Sequence, residues 1–376
     1  MKLEALVWVG LLASSVEGTT TFSIGSCDDL QEAASATSSD NVVGKLASGG
    51  VSCDSWTSFE INDNRLKLVA ADDAESGEVF VFNNVRFVIG ASGILRVVPS
   101  VEFTGDDDSA QEVDGGVLNI ADGGRAHFKS SLNTHDVEVS SVAEDGADYT
   151  ADLWHGGCIY NNGKITVDGD YEASQCHTDS GGGDSADGDG NGIWNGETGK
   201  VVIKGTVNMV DCGNREIEGN VGGAIYNLGR FSISSTASFT TNWSSAGGAI
   251  YNGATGVFEF LDGSTATFTE NRSSNARGGA VTNAGGVMTF KGGATFTDNY
   301  SENEGGAIGN TGSLSIFESA AFVDNRSQSS GGAIYNAYDA ELVLPDGTTF
   351  EGNSIYDWDD CEDIYQATED GFECLP

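Results

Sequence analysis

The chain is predicted to be all-β and to wind as a right-handed parallel β-helix with three short strands per coil. Three observations predict this. A Gly-Gly-Ala phrase starts at residues 222, 247, 278, 305 and 331, in steps of 25, 31, 27 and 26 residues. Between the copies runs a second phrase, Phe-x-x-Asn, closing on Asn242, Asn271, Asn299, Asn325 and Asn353. Fifty-three glycines against three prolines, with no long helical period, call for many tight turns. A repeat of this length is the mark of a solenoid, which grows as one body by stacking coils.

Residues 1–18 read as a secretory signal peptide, with Lys2 as a thin basic start and Leu6 to Ala13 as an apolar stretch too short to span a bilayer. No later stretch is apolar enough for a membrane helix, so a secreted, extracellular or cell-surface location is expected. Residues 19–77 lack the repeat and are expected to cap the first coil, whose sheet edge would otherwise be open. From residue 78 strands run to Asn353, with clear repeats over 154–353, and 354–376 form a C-terminal cap or tail.

Val79 to Phe82, Val85 to Ile89 and Ile94 to Val98 are short apolar runs of the kind buried in parallel sheets. A worn copy of the Gly-Gly phrase starts at 115, a near-perfect one with Cys in the Ala slot at 156 and a partial one at 190, and their longer steps of 41, 34 and 32 residues require loops that bulge from the early coils. In each later coil the first strand is the Gly-Gly-Ala-Ile-Tyr-Asn phrase. The second carries apolar pairs such as Phe231/Ile233 and Phe258/Phe260, and the third pairs such as Ala237/Phe239 and Ala266/Phe268. Such alternation turns one side inward and the other to solvent. Eight such rungs at ~4.8 Å make a rod of roughly 40 Å.

These paired phrases resemble the polymorphic outer membrane protein repeats of chlamydial surface autotransporters, over about Trp154 to Asn353. The resemblance implies a pectin-lyase-like β-helix passenger and adhesion. Those proteins end in a membrane barrel, whereas here the chain ends shortly after its last repeat, so anchoring in an outer membrane is not carried over.

The formal charge, 17 − 57 = −40, opposes nucleic acid and anionic membranes as partners and favours solubility, divalent cations or basic partners. Seven cysteines suit an oxidising compartment. Cys27 with Cys53, and Cys361 with Cys374, are placed to staple the two caps. Cys176 and Cys212 share the Phe-x-x-Asn slot on adjacent rungs and are expected to bond along the ladder, leaving Cys158 as a buried thiol in the Ala slot.

Asp187-Gly188-Asp189-Gly190-Asn191-Gly192, with Asp184 upstream, matches the opening half of a Ca²⁺ loop. The second half fails, because the twelfth position is Thr198 and the nearest acid is Glu197. A Ca²⁺ site and an Asp/Gly-rich turn are both open readings. Asn242, Asn271, Asn299 and Asn325 head N-x-Ser sequons, but their fixed place in the repeat favours an amide ladder inside the rod over glycosylation. Tyr160, Trp194, Tyr226, Tyr251 and Tyr335 share one slot beside an apolar Ile slot. Turned outward they form a ligand-binding strip for a polysaccharide or a protein; turned inward they are core.

No catalytic residues are assigned. The acids are dispersed, and His127, His135, His155 and His177 fall into no triad or metal-ligand spacing. The expected function is non-enzymatic binding of an extracellular protein or polysaccharide. The alternative is a polysaccharide lyase or hydrolase whose site lies on the long-looped rungs between about 106 and 200.

Overall fold

The computed structural model describes residues 14–16, 19–36, 41–72, 74–105, 116–141, 156–180, 190–213, 221–356, 361–369 and 371–375. They form a parallel β-helix. One long sheet contains Thr19–Ile24, Asn41–Leu46, Arg65–Ala70, Ile94–Val97, Arg125–Phe128, Lys164–Val167, Lys200–Ile203, Arg230–Ile233, Val257–Phe260, Val287–Phe290, Ser313–Ile316 and Glu341–Val343, all parallel and in chain order. These are the second strands of successive coils. Ser14–Val16 pairs antiparallel at the outer edge. The first and third strands form two more columns, the former from Leu118–Ile120 through Ile334–Asn336 and the latter from Ser100–Thr104 through Thr349–Glu351.

Register follows the repeat without slip. Ile225, Ile250, Val281, Ile308 and Ile334 stand above one another, as do Phe239, Phe268, Phe296, Phe322 and Phe350. Because like sits on like, the phenylalanines stack face to face with centroids 4.7–5.0 Å apart. Across the core Phe268 meets Phe260 and Phe290 edge-on, the geometry that ring quadrupoles favour.

The Gly-Gly pair has two separate causes, seen at Gly247 and Gly248. Gly247 sits at φ +62, where a side chain is strained. Gly248 lies against the backbone that follows the third-strand Asn of its own coil, and a Cβ there would be 2.5 Å from the carbonyl oxygen of Arg272. The pair therefore marks where each coil closes on itself.

The β-helix begins earlier than expected. Residues 19–77, read as a cap, already supply three strands of the second-strand sheet. These coils lack the Gly-Gly phrase because long strands, Gly50–Ile61 and Val79–Ile89, bend round the corner instead; Asn84 takes φ 56 at the bend of the latter. Among the described residues it is the helix α1, Cys27–Ser35, that plugs the end. Ser26 caps it by accepting from Asp29 N, and Leu30, Ala33 and Ala34 are buried. At the other end Ile364–Thr368 adds to the first-strand column, and Gly371–Leu375 folds back on it antiparallel.

Cys27 bonds Cys53 at one end and Cys361 bonds Cys374 at the other. The expected bridge along the ladder is absent: Cys176 bonds Cys158, and Cys212 is the free, buried cysteine. The corners do stack, since Gly213 N donates to Cys176 O just as Trp243 N donates to Cys212 O. Stacked side chains, however, run parallel at the ~4.8 Å rung spacing, whereas a disulfide draws its Cβ atoms to ~3.8 Å at a near-right-angle dihedral. Cys158, in the Ala slot of the same coil, faces the corner and meets that geometry, with Cα atoms 5.6 Å apart. No described helix is long and apolar enough to cross a membrane.

Candidate binding surface

The surface is built at the corner after each third strand. There Thr241, Glu270, Asp298 and Asp324 take φ 53 to 55. That left-handed residue reverses the alternation, so the next residue points inward, the one after it outward, and the following serine inward again. Asn242, Asn271, Asn299 and Asn325 are fully buried. Each side-chain Nδ2 donates to the Oδ1 of the next, at 2.9, 3.0, 2.9 and 3.0 Å, ending on Asn353. The amides are thus spent inside the rod, and the four sequons are closed to a glycan in the folded chain. Their serines, Ser244, Ser273, Ser301 and Ser327, are buried too. A second ladder, from Asn161 through Asn195, Asn227, Asn252, Asn283, Asn310 and Asn336 to Gln366, runs under the first strands at 2.6–2.9 Å.

The outward residue of each sequon forms a column that reading the sequence by threes had missed. Trp243–Ser244, Arg272–Ser273, Tyr300–Ser301, Arg326–Ser327 and Ser354–Ile355 pair as a separate short sheet, a fourth strand of each coil. Arg272 lies 5.8 Å from the ring centres of both Trp243 and Tyr300. Arg326 lies 5.7 Å from Tyr300 and 5.3 Å from Tyr356. Aromatic and guanidinium groups therefore alternate up the flank, with the arginines exposed and Trp243 and Tyr300 half-buried. The signal was present in the alternation Trp, Arg, Tyr, Arg at the middle of successive sequons.

The predicted aromatic strip divides. Tyr160, Trp194, Tyr226 and Tyr251 lie half-buried on the outer side of strands whose Ile159, Ile193, Ile225 and Ile250 are core. Their rings stack on one another, Tyr160 on Trp194 at 4.4 Å, Trp194 on Tyr226 at 6.3 Å and Tyr226 on Tyr251 at 5.2 Å. Tyr335 is separate: it is buried and stacks on Tyr365. Between the two stacks, where Thr282 and Gly309 break the column, Arg277 fills the space. A Cβ on Gly309 would collide with it, its guanidinium lies 4.6 Å from the Tyr335 ring, and Glu304 pairs with it. Burial pushes the Tyr335 hydroxyl above its ordinary range. Since each ring covers its neighbour's face, the strip offers edges to solvent, which suits hydrogen bonding better than the face-on packing of a sugar.

The Ca²⁺ reading rests on Asp184, Asp187 and Asp189, which lie outside the described residues, and on Asn191, which is buried with its carbonyl accepting from Cys158 N at 3.1 Å. Among the described residues no three His, Cys, Asp or Glu side chains converge. His155 is likewise outside them. His127 meets Asp168 at 2.9 Å, His135 Nδ1 meets Ser174 Oγ at 2.6 Å, and His177 Nδ1 meets the Gly213 carbonyl at 2.6 Å. His135 and Ser174 are cross-strand neighbours in register, and among the described residues no carboxylate orients that histidine.

Residues 319–337 match the family profile of the Chlamydia polymorphic membrane protein repeat. The matched stretch holds one Phe322-x-x-Asn325 corner and the Gly331 to Asn336 phrase that follows it, the same unit that recurs through the rod. No curated protein and no solved structure matches the chain. One turn of this β-helix, residues 319–337, is thus similar to a polymorphic-membrane-protein repeat.

Proposed function

We propose that this chain is a secreted, surface-associated rod that binds an extracellular protein or polysaccharide along its flank, without chemical turnover. The reading is carried by the column from Trp243 through Arg272, Tyr300 and Arg326 to Tyr356. Arginines held between aromatic rings lose little freedom on binding, and their outer N–H groups stay available. Trp, Tyr and Arg are also the side chains that most often dominate interface energies. Kinship of the repeat with that of a membrane protein family supports a place at a cell surface. A glycan and extracellular-protein array, probed with the purified chain and then inspected for cleavage products, tests it. Binding that falls at least tenfold in an Arg272→Ala/Arg326→Ala variant is expected. Release of shortened glycan would sink the reading without turnover.

A further inference from the structure

The second-strand sheet carries a pattern of the opposite sign to the rest of the chain. Arg125, Lys164, Lys200 and Arg230 occupy one outward slot on four successive rungs, in unbroken parallel register. All four are exposed, and each is followed by a buried neighbour, Ala126, Ile165, Val201 or Phe231, that fixes it outward. None of them joins an ion pair among the described residues. Like charges stacked directly opposite repel, so this column costs stability on its own account.

The slots beside it reinforce the sign. Just past the strand ends Lys129 and Lys204 flank Asp168 at 2.6 and 2.7 Å, and with His127 at 2.9 Å they hold its carboxyl far below its ordinary range. Toward the N-terminus Arg65 leads the same outward slot, and Lys67 and Arg96 stack in the neighbouring one. Nine of the chain's 17 Lys and Arg residues thus lie on, or one residue past, six adjacent strands of one sheet face, with Asp168 the one carboxylate in those slots. Asp63, Asp122 and Glu197 stand exposed at the turns that rim it. With screening over about 8–10 Å, the described residues of this face present a local positive field on a chain of net charge −40.

We propose that this face binds a linear acidic polysaccharide of the polyuronate class, laid along the rod axis. Its cations repeat once per rung, ~4.8 Å, and a uronate chain carries one carboxylate per ring at a comparable repeat. An extended run of acidic residues carries a charge every ~3.3 Å, denser than one cation per rung. Duplex nucleic acid carries a charge every ~1.7 Å, far denser than one cation per rung. The inference rests on the reading of the chain as a binding rod but uses a different face from the Trp243–Tyr356 column.

Affinity electrophoresis tests it, with the full chain run through gels containing polygalacturonate or its fully methyl-esterified, neutral counterpart. EDTA is included so that Ca²⁺ cannot bridge the acidic coat to the polymer. Retardation by polygalacturonate alone is expected, lost at high salt and weakened at least tenfold in Lys164→Glu/Lys200→Glu and partly in Lys164→Gln/Lys200→Gln. Melting temperatures no lower than that of the parent chain show that the variants fold. Equal retardation by the neutral polymer or by duplex DNA, no retardation at all, or retardation unaltered by the lysine variants overturns the inference. If Arg272→Ala/Arg326→Ala abolishes retardation while the lysine variants keep it, the sugar lies on the other column; the proposed function then stands and this inference falls.

Discussion

Asparagine in this rod works from an inward position. Asn271 shows how: its Nδ2 donates to Asn299 Oδ1 and to the Phe239 carbonyl, both at 3.0 Å, while its Oδ1 accepts from Asn242 Nδ2 at 2.9 Å and Asn242 N at 3.1 Å. Four contacts on one buried amide mean that Asn271→Ala strands polar groups above and below. A loss of about 3 kcal/mol in urea unfolding is expected, on the scale of one or two buried unmet partners. Asn275→Ala, an exposed position in the next turn, serves as the control and should change stability by under about 0.5 kcal/mol. The sequon in which Asn271 sits is a by-product of the corner: the amide must turn in, the next residue out, and a small hydroxyl in. The repeat alone made the buried ladder readable, because a glycan cannot occupy a slot that recurs inside every coil.

At the scale of the element, what the sequence revealed followed periodicity. Apolar pairs two residues apart announced the second and third strands, and the Phe-x-x-Asn phrase announced the corner. The fourth strand went unread because Trp243–Ser244 and its counterparts are two residues long, too short for alternation to register. The basic column was hidden differently. Lys164 follows its first-strand Asn161 by three residues, Lys200 follows Asn195 by five, and Arg230 follows Asn227 by three, so turn length blurs the alignment that strand pairing restores. The cysteines failed on direction: equivalent slots were correctly stacked, but stacking makes side chains parallel. Peptide mapping without reduction should recover Cys158 linked to Cys176 and leave Cys212 unlinked. Cys176→Ser should lower stability by about 3 kcal/mol, as expected for opening a loop of this size. Burial pushes the Cys212 thiol up to about 12, so alkylating reagents should reach it only after unfolding.

For the whole molecule, the issue is its two ends. A solenoid leaves an unpaired sheet edge at each terminus, and such edges recruit other chains. Here α1 plugs one end, while the hairpin of Ile364–Thr368 and Gly371–Leu375, stapled by Cys361–Cys374, covers the other. Truncation after Asn353 would uncover Ile334–Asn336 as a bare parallel edge. The truncated chain should self-associate with rising concentration in sedimentation velocity, while the intact chain keeps one sedimentation coefficient. The sequence pointed to caps through its terminal cysteine pairs, yet it placed the first boundary too late, because coils that bend through long strands carry no Gly-Gly mark.

The amide ladders also give the rod an electrical direction. In each ladder every Nδ2 points toward the C-terminal end and every Oδ1 toward the N-terminal end, so the amide dipoles add rather than cancel. The donating end of the corner ladder, Asn353 Nδ2, meets the carboxylate of Asp363 at 3.0 Å, a negative charge where partial positive charge accumulates, as an acid stands at a helix N-terminus. No amide in such a chain can flip alone without setting donor against donor. Each ladder therefore locks as a unit, and its two ends differ as the poles of a magnet do.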